Sequence, residues 1–184
     1  MTLSRRAALA ASALALPSFS MAQSAWPRQS VRFVVPFAPS WRACRPKQEM
    51  AAFSTRNVDC NGNLVELARM VRAWRDYNNV PMSGMLIDTL TYQFIAGWAH
   101  RDKSYLYYDF MTRDFFNYLA GQDSAKKHWL APGSGSYVYR PGPFEYKARQ
   151  AELRALEAIV HQGANQDWSA KQKYREIYGT SFPS

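Results

Sequence analysis

Few residues in this chain have the types and spacing that chemistry requires. Gly133-Ser134-Gly135 is the nearest approach to a phosphate-cradling loop. A P-loop sets four residues between its glycines, follows them with Lys and Ser or Thr, and opens a helix after a strand. None of that surrounds Gly133, so a plain turn is expected. Asp109, Arg113 and Asp114 could act as a catalytic cluster. Asp109 and Arg113 stand at the i,i+4 spacing of a helix salt bridge, however, and that structural pairing is the expectation preferred here. His100, His128 and His161 share no short metal-ligand spacing. Cys44 and Cys60 have no second pair, so no zinc pattern exists, and a single bridge cannot be inferred from spacing. Incidental thiols are expected. The sequence has no nucleophile elbow, HExxH or paired CxxC. No catalytic residue and no metal ligand is therefore assigned.

The elements that would position any site read as helices. Leu64, Leu67, Ala68, Val71 and Trp74 recur at helical spacing, with Arg69, Arg72 and Arg75 on the flank. Asn61 or Asn63 can cap the start of this helix, and Asn78-Asn79 with Pro81 ends it. Ser83 can open a second helix by accepting from first-turn amides; its apolar face is Leu86, Leu90 and Phe94, flanked by Ile87 and Ile95. Ser104 to Ala120 predicts a third, burying Leu106, Phe110, Phe115 and Leu119 and stopping at Gly121. From Leu130 to Gly142, glycines and prolines predict a loop with a short extended piece at Ser136 to Tyr139. A helix rich in Ala, Glu and Leu is expected from about Phe144 to His161, a last one from Trp168 to Tyr178, and another short one at Pro46 to Phe53. No strand-period alternation is evident in this half, so the fold class predicted is all-α, a helical bundle with an irregular N-terminal appendage.

At 184 residues there is room for one domain with a core plus an appendage. Hydrophobic residues at 47% and charged residues at 20% exclude a disordered chain. A formal charge of +9 favours polyanionic partners, namely nucleotides, RNA or anionic lipid, or else simply a solvated basic surface. No run of eighteen apolar residues occurs, so no membrane span is expected.

Residues 1–22 have the anatomy of a secretory signal. Arg5 and Arg6 precede the apolar run Ala7 to Leu16, Pro17 breaks it, and Ser20-Met21-Ala22 offers a cleavage site. Ser4-Arg5-Arg6 hints at twin-arginine export, without the bulky apolar residues that usually follow. Ala25 to Pro39, AWPRQSVRFVVPFAP, resembles the mature start of periplasmic tricarboxylate-type solute receptors, where it forms the first strand. The resemblance stops at Pro39, since Ser40-Trp41-Arg42 stands where that family has a glycine-rich ligand loop. Residues 23–45 thus read as a receptor-like remnant and junction between two unrelated coding segments. An intact catalytic core in another frame of the upstream DNA would support that reading; a seamless ancestral gene would sink it.

Residues 46–184 carry RMVRAW, SGMLIDTL, RDFF, WLAPGSG, EYKA and REIYGTSFP in order. This resembles the C-terminal helical half of a bacterial CD-NTase, a SMODS-type nucleotidyltransferase that synthesises cyclic oligonucleotides. The resemblance implies a polymerase-β-like helical lobe and, in intact relatives, a cyclic nucleotide signal for antiphage defence, made from nucleoside triphosphates with Mg²⁺. It further implies that Arg72 (or Arg69, one turn earlier) and Ser83 contact phosphates from the helical side. The physics agrees: guanidinium makes bidentate phosphate contacts, and a helix N-terminus offers unpaired N–H donors at the positive end of its dipole. The alternative is that Ser83 is only a cap and the arginines are solvated. In the family, catalysis needs a Gly-Ser turn and three carboxylates on a magnesium pair. Here the only acids ahead of Asn63 are Glu49 and Asp59, so the chain alone is expected to be inactive, with no cofactor of its own. Partners expected are a nucleotide, and a second copy or a missing catalytic lobe through an exposed apolar face. The family address is cytoplasmic; a functional signal would make it periplasmic. A third reading is an exported helical binding protein.

Overall fold

A computed structural model describes residues 45–182. The chain divides into two units, Met1–Trp41 and Arg42–Ser184, and the second is the one described below. The signal-like segment, the receptor-like stretch and Cys44 lie outside the described residues. What is described is mainly helical, as the sequence predicts: α1 Pro46–Asp59, α2 Asn63–Tyr77, α3 Gly84–Gly97, α4 Tyr108–Ala120, α5 Glu145–Gly163 and α6 Asp167–Tyr178.

The α2 face is the predicted one, with Leu64, Leu67, Ala68, Val71 and Trp74 all buried. Its start is not capped by Asn61 or Asn63. Gly62 takes the cap position in a left-handed conformation, φ 83°, which glycine adopts without a Cβ penalty. The missing side-chain acceptor comes from the preceding helix, where Asn57 Oδ1 accepts from the Val65 amide at 3.0 Å. Asn63 is instead buried, and its Nδ2 donates to the Arg101 and Lys103 carbonyls at 2.8 Å each. At the other end Asn78 Nδ2 donates to the Trp74 carbonyl at 2.9 Å and to Ile177 at 2.8 Å, joining α2 to α6.

α1 runs well beyond Phe53. It begins with Pro46, whose fixed φ suits the first helical position, and buries no residue fully. It is held by Glu49 Oε1, which accepts from Ser134 Oγ at 2.6 Å, and by Arg56 stacked 4.9 Å over the Tyr92 ring. The loop under it needs Gly133: at φ +75°, a Cβ there would sit 2.3 Å from the Gln48 carbonyl oxygen.

The third predicted helix is split. Tyr105–Tyr107 form a 3-10 turn and α4 follows. The tighter turn, three residues instead of 3.6, rotates Leu106 off the inward stripe, and it is 69% exposed. Phe115 and Leu119 are buried as predicted, while Phe110 and Phe94 only lean on the core. The predicted Asp109–Arg113 salt bridge does not form. Arg113 pairs with its neighbour Asp114 at 2.7 Å and lies 5.0 Å over the Phe110 ring, and the Trp98 indole N–H holds Asp114 Oδ2 at 3.0 Å. The extended piece expected at Ser136 to Tyr139 is strand β2, Tyr137–Tyr139, and it pairs antiparallel with a second strand that was not expected, β1 His128–Leu130, Trp129 opposite Val138. Trp129 and Val138 point inward, and the other strand residues do not.

α5 lies against α4 and α6 along Ala148, Ala151, Ala155 and Ala158, all buried. Small side chains let the three helices approach closely. Around Trp74, whose ring centroid is 4.9 Å from that of Phe116, the core joins α2, α3, α4 and α5. Among the described residues no helix is long and apolar enough to cross a membrane.

Candidate functional site

Ser83 sits where a cap should. Its backbone is extended (φ −76°, ψ 156°) and its Oγ accepts from the Leu86 amide at 3.1 Å. The Ile87 amide bonds the Ser83 carbonyl at 3.1 Å. The amides of Gly84 and Met85 are then the first-turn donors that no intrahelical carbonyl can reach. Ser83 and Met85 are exposed, so this end of α3 is open to a ligand.

The arginines do not converge on it together. Residues three apart on an α-helix are rotated by about 60° relative to one another, so Arg69, Arg72 and Arg75 fan across α2. Arg69 points away from α3, its side chain 69% exposed, and pairs with Glu66 at 2.6 Å. Arg72 crosses to α3, where Nη2 meets Asp88 Oδ1 at 2.5 Å. Arg75 pairs with Asp76 at 2.8 Å and shares with Ser83 an open surface hollow of about 430 Å³ lined also by Pro81 and Pro141. The structure thus brings Arg72 and Arg75 to the α3 side and leaves Arg69 out. Arg75 and Asp88 belong to the neighbourhood and were not singled out in the sequence. Arg75 reads on the same flank as Arg69 and Arg72 but is given no site role, whereas Asp88 carries no local signal.

Chemically, this end can bind an anion and do little more. Its groups are the Arg75 guanidinium with its partner Asp76, the Ser83 hydroxyl and the first-turn amides of Gly84 and Met85, while Arg72 meets α3 further along, at Asp88. Each arginine already has a carboxylate partner, and both pairs are partly solvated, so each is weakly held and exchangeable. A phosphate would compete with Asp88 for Arg72 against the repulsion of that carboxylate.

A magnesium pair does not fit the acids available on the N-terminal side. Glu49 and Asp59 lie ten residues apart on α1, roughly 15 Å at 1.5 Å per residue, and Glu49 already accepts from Ser134. Among the described residues no group of three His, Cys, Asp or Glu is placed to hold a metal ion.

Arg69 stands instead at the edge of a second concavity, about 750 Å³, between α2, α4 and α6. Its floor carries Thr112 and Tyr178, whose hydroxyls are 3.0 Å apart. Burial pushes the Tyr178 phenol far above its usual range, against the Thr112 hydrogen bond that lowers it.

Cys60 is fully buried between α1 and α2. Burial raises its thiol pKa, and Arg101 and Arg56 nearby pull it back only in part. It is a packed thiol and a poor nucleophile.

No family model, no curated protein and no solved structure matches the chain.

Proposed function

We propose that residues 46–184 are the helical, nucleotide-binding lobe of a CD-NTase-like nucleotidyltransferase, truncated or joined to a foreign N-terminal segment. Phosphates are held at the α2–α3 end by Arg72, Ser83 and the open amides of α3. The observation that carries this reading is Arg72 reaching across to α3, whose capped N-terminus is solvent-exposed. The resemblance in residue order supplies the family; the geometry supports only the anion end. Arg69 is dropped from the phosphate contacts, because it faces the other flank of α2.

In this reading the lobe binds, and Mg²⁺ and catalysis belong to intact relatives, since the only acids ahead of Asn63 are Glu49 and Asp59. Titrating the whole chain with a fluorescent nucleoside triphosphate tests this. Arg72→Ala and Ser83→Ala should each weaken binding, and Arg69→Ala should not. Equal loss at all three, or none, sinks the assignment.

A second reading has its own observation. Leu153, Leu156 and Val160 form an exposed apolar stripe on α5 at i, i+3 and i+7, which suits association with a second copy or a catalytic lobe. A monomer by size-exclusion chromatography at high concentration would count against self-association. For location, the family address is cytoplasmic, and processing at Ala22, seen by sequencing the mature N-terminus, would establish export instead.

A further inference from the structure

The concavity between α2, α4 and α6 lies on the flank of α2 that the nucleotide reading leaves unused. Its volume of about 750 Å³ is within the range of small-molecule sites, roughly 300–1,000 Å³. Its walls include the rings of Tyr105, Tyr108, Tyr174 and Phe182. Phe182 stacks on Tyr174 with centroids 5.2 Å apart and 28° between planes.

The charges lining it are Glu66, Arg69 and Asp109. Arg69 is bound to Glu66 at 2.6 Å, so these two cancel. Asp109 has no counter-charge: its Oδ1 accepts the Phe110 amide at 2.8 Å, and among the described residues it makes no ion pair. Its field reaches the floor. The Tyr174 phenol is raised far above its usual range, first by burial and then by the Asp109 charge, and its Oη is buried with no hydrogen-bond partner among the described residues.

We propose that this hollow binds a small organic cation, an ammonium group with an apolar body, held over the tyrosine faces and neutralised by Asp109. Ring faces are negative and attract ammonium groups within about 6 Å. A phosphate-bearing ligand would meet two carboxylates, one of them unpaired. A purely apolar ligand would strip water from Asp109 and return nothing. Only a cation satisfies rings and carboxylate together. The site is independent of the phosphate end of α3 and does not rest on nucleotide binding.

The test uses the whole chain with choline and its neutral isostere 3,3-dimethylbutan-1-ol, followed by shifts of the aromatic NMR signals. Choline should give saturable shifts and bind about tenfold more tightly than the isostere, a difference within the range for a partly desolvated cation on rings. Asp109→Asn should weaken choline severalfold and leave the isostere unchanged, the remaining preference for choline being what the rings supply. Tyr105→Ala, at a 73% exposed position where folding is safe, should weaken choline severalfold with an unchanged melting curve. Equal binding of the two probes, indifference to both substitutions, or no saturable choline shift would overturn the proposal.

Discussion

Replacing Asn63 gives the sharpest test of how the body is tied together. Asn63 is 3% exposed, and its side-chain amide links the start of α2 to the Arg101 and Lys103 carbonyls, at 2.8 Å each. These carbonyls lie just before the 3-10 turn at Tyr105, so the amide also sets one wall of the aromatic hollow. A net hydrogen bond contributes about 0.5–1.5 kcal/mol, so Asn63→Ala should cost about 1–3 kcal/mol. At roughly 2.1 cal/mol/K per residue, a body of about 140 residues has an unfolding entropy near 0.3 kcal/mol/K, and Tm should fall by about 3–10 °C. Asn63→Asp should be worse than Ala, since a carboxylate cannot donate and would face two carbonyl oxygens. Thermal melts followed by circular dichroism at 222 nm measure both. A Tm within 1 °C of the parent for Asn63→Ala, or an Asp variant more stable than Ala, would refute the reasoning.

Other outcomes follow from the same geometry. Ser83→Ala removes the α3 cap and should cost about 1 kcal/mol in denaturant unfolding, so its effect on nucleotide binding is read only at temperatures where it is fully folded. Gly133→Ala places a Cβ 2.3 Å from the Gln48 carbonyl oxygen in a left-handed backbone; α1 should loosen, seen as faster amide exchange over Pro46–Asp59 with α4 and α5 unchanged. Cys60, Tyr174 and Tyr178 all have folded-state pKa values raised by burial. The sign follows: keeping these groups neutral adds stability that is whole below their unfolded values, about 8.5 for the thiol and about 10 for the phenols, and is lost as pH rises toward the folded values. Urea midpoints should fall from about pH 8.5 upward, and a flat profile to pH 11 would contradict this. In a Cys44→Ser variant, Cys60 should stay unreactive to a thiol reagent at pH 7.5 until urea unfolds the protein.

Sequence periodicity located the helices that bury a repeating stripe. Leu64 to Trp74 and the alanine-rich run of α5 are the clearest cases. Boundaries set by tertiary contacts were not visible. α1 extends to Asp59 with no fully buried residue, held by Ser134 from a loop eighty-five positions away. The strands at His128–Leu130 and Tyr137–Tyr139 are three residues each, too short for alternation to declare itself. Arg113 pairs with Asp114, which the Trp98 indole also holds, a contact no local spacing encodes. The candidate site was legible in part. Ser83 as a cap follows from residue type and position, whereas the separation of Arg69 from Arg72 follows from the helical fan once the neighbours of α2 are known. Asp88, the partner of Arg72, comes from another helix and leaves no trace in the α2 sequence.

Phosphate binding, as proposed, falls at the open end of α3, with Arg72 reaching that helix at Asp88. Titrating ¹⁵N-labelled protein with ATP and following backbone amides by NMR measures this contact directly. The largest shifts are predicted at Gly84 and Met85, and reaching them in Arg72→Ala should take more ATP. Shifts that leave Gly84 and Met85 still while moving residues elsewhere would contradict the account.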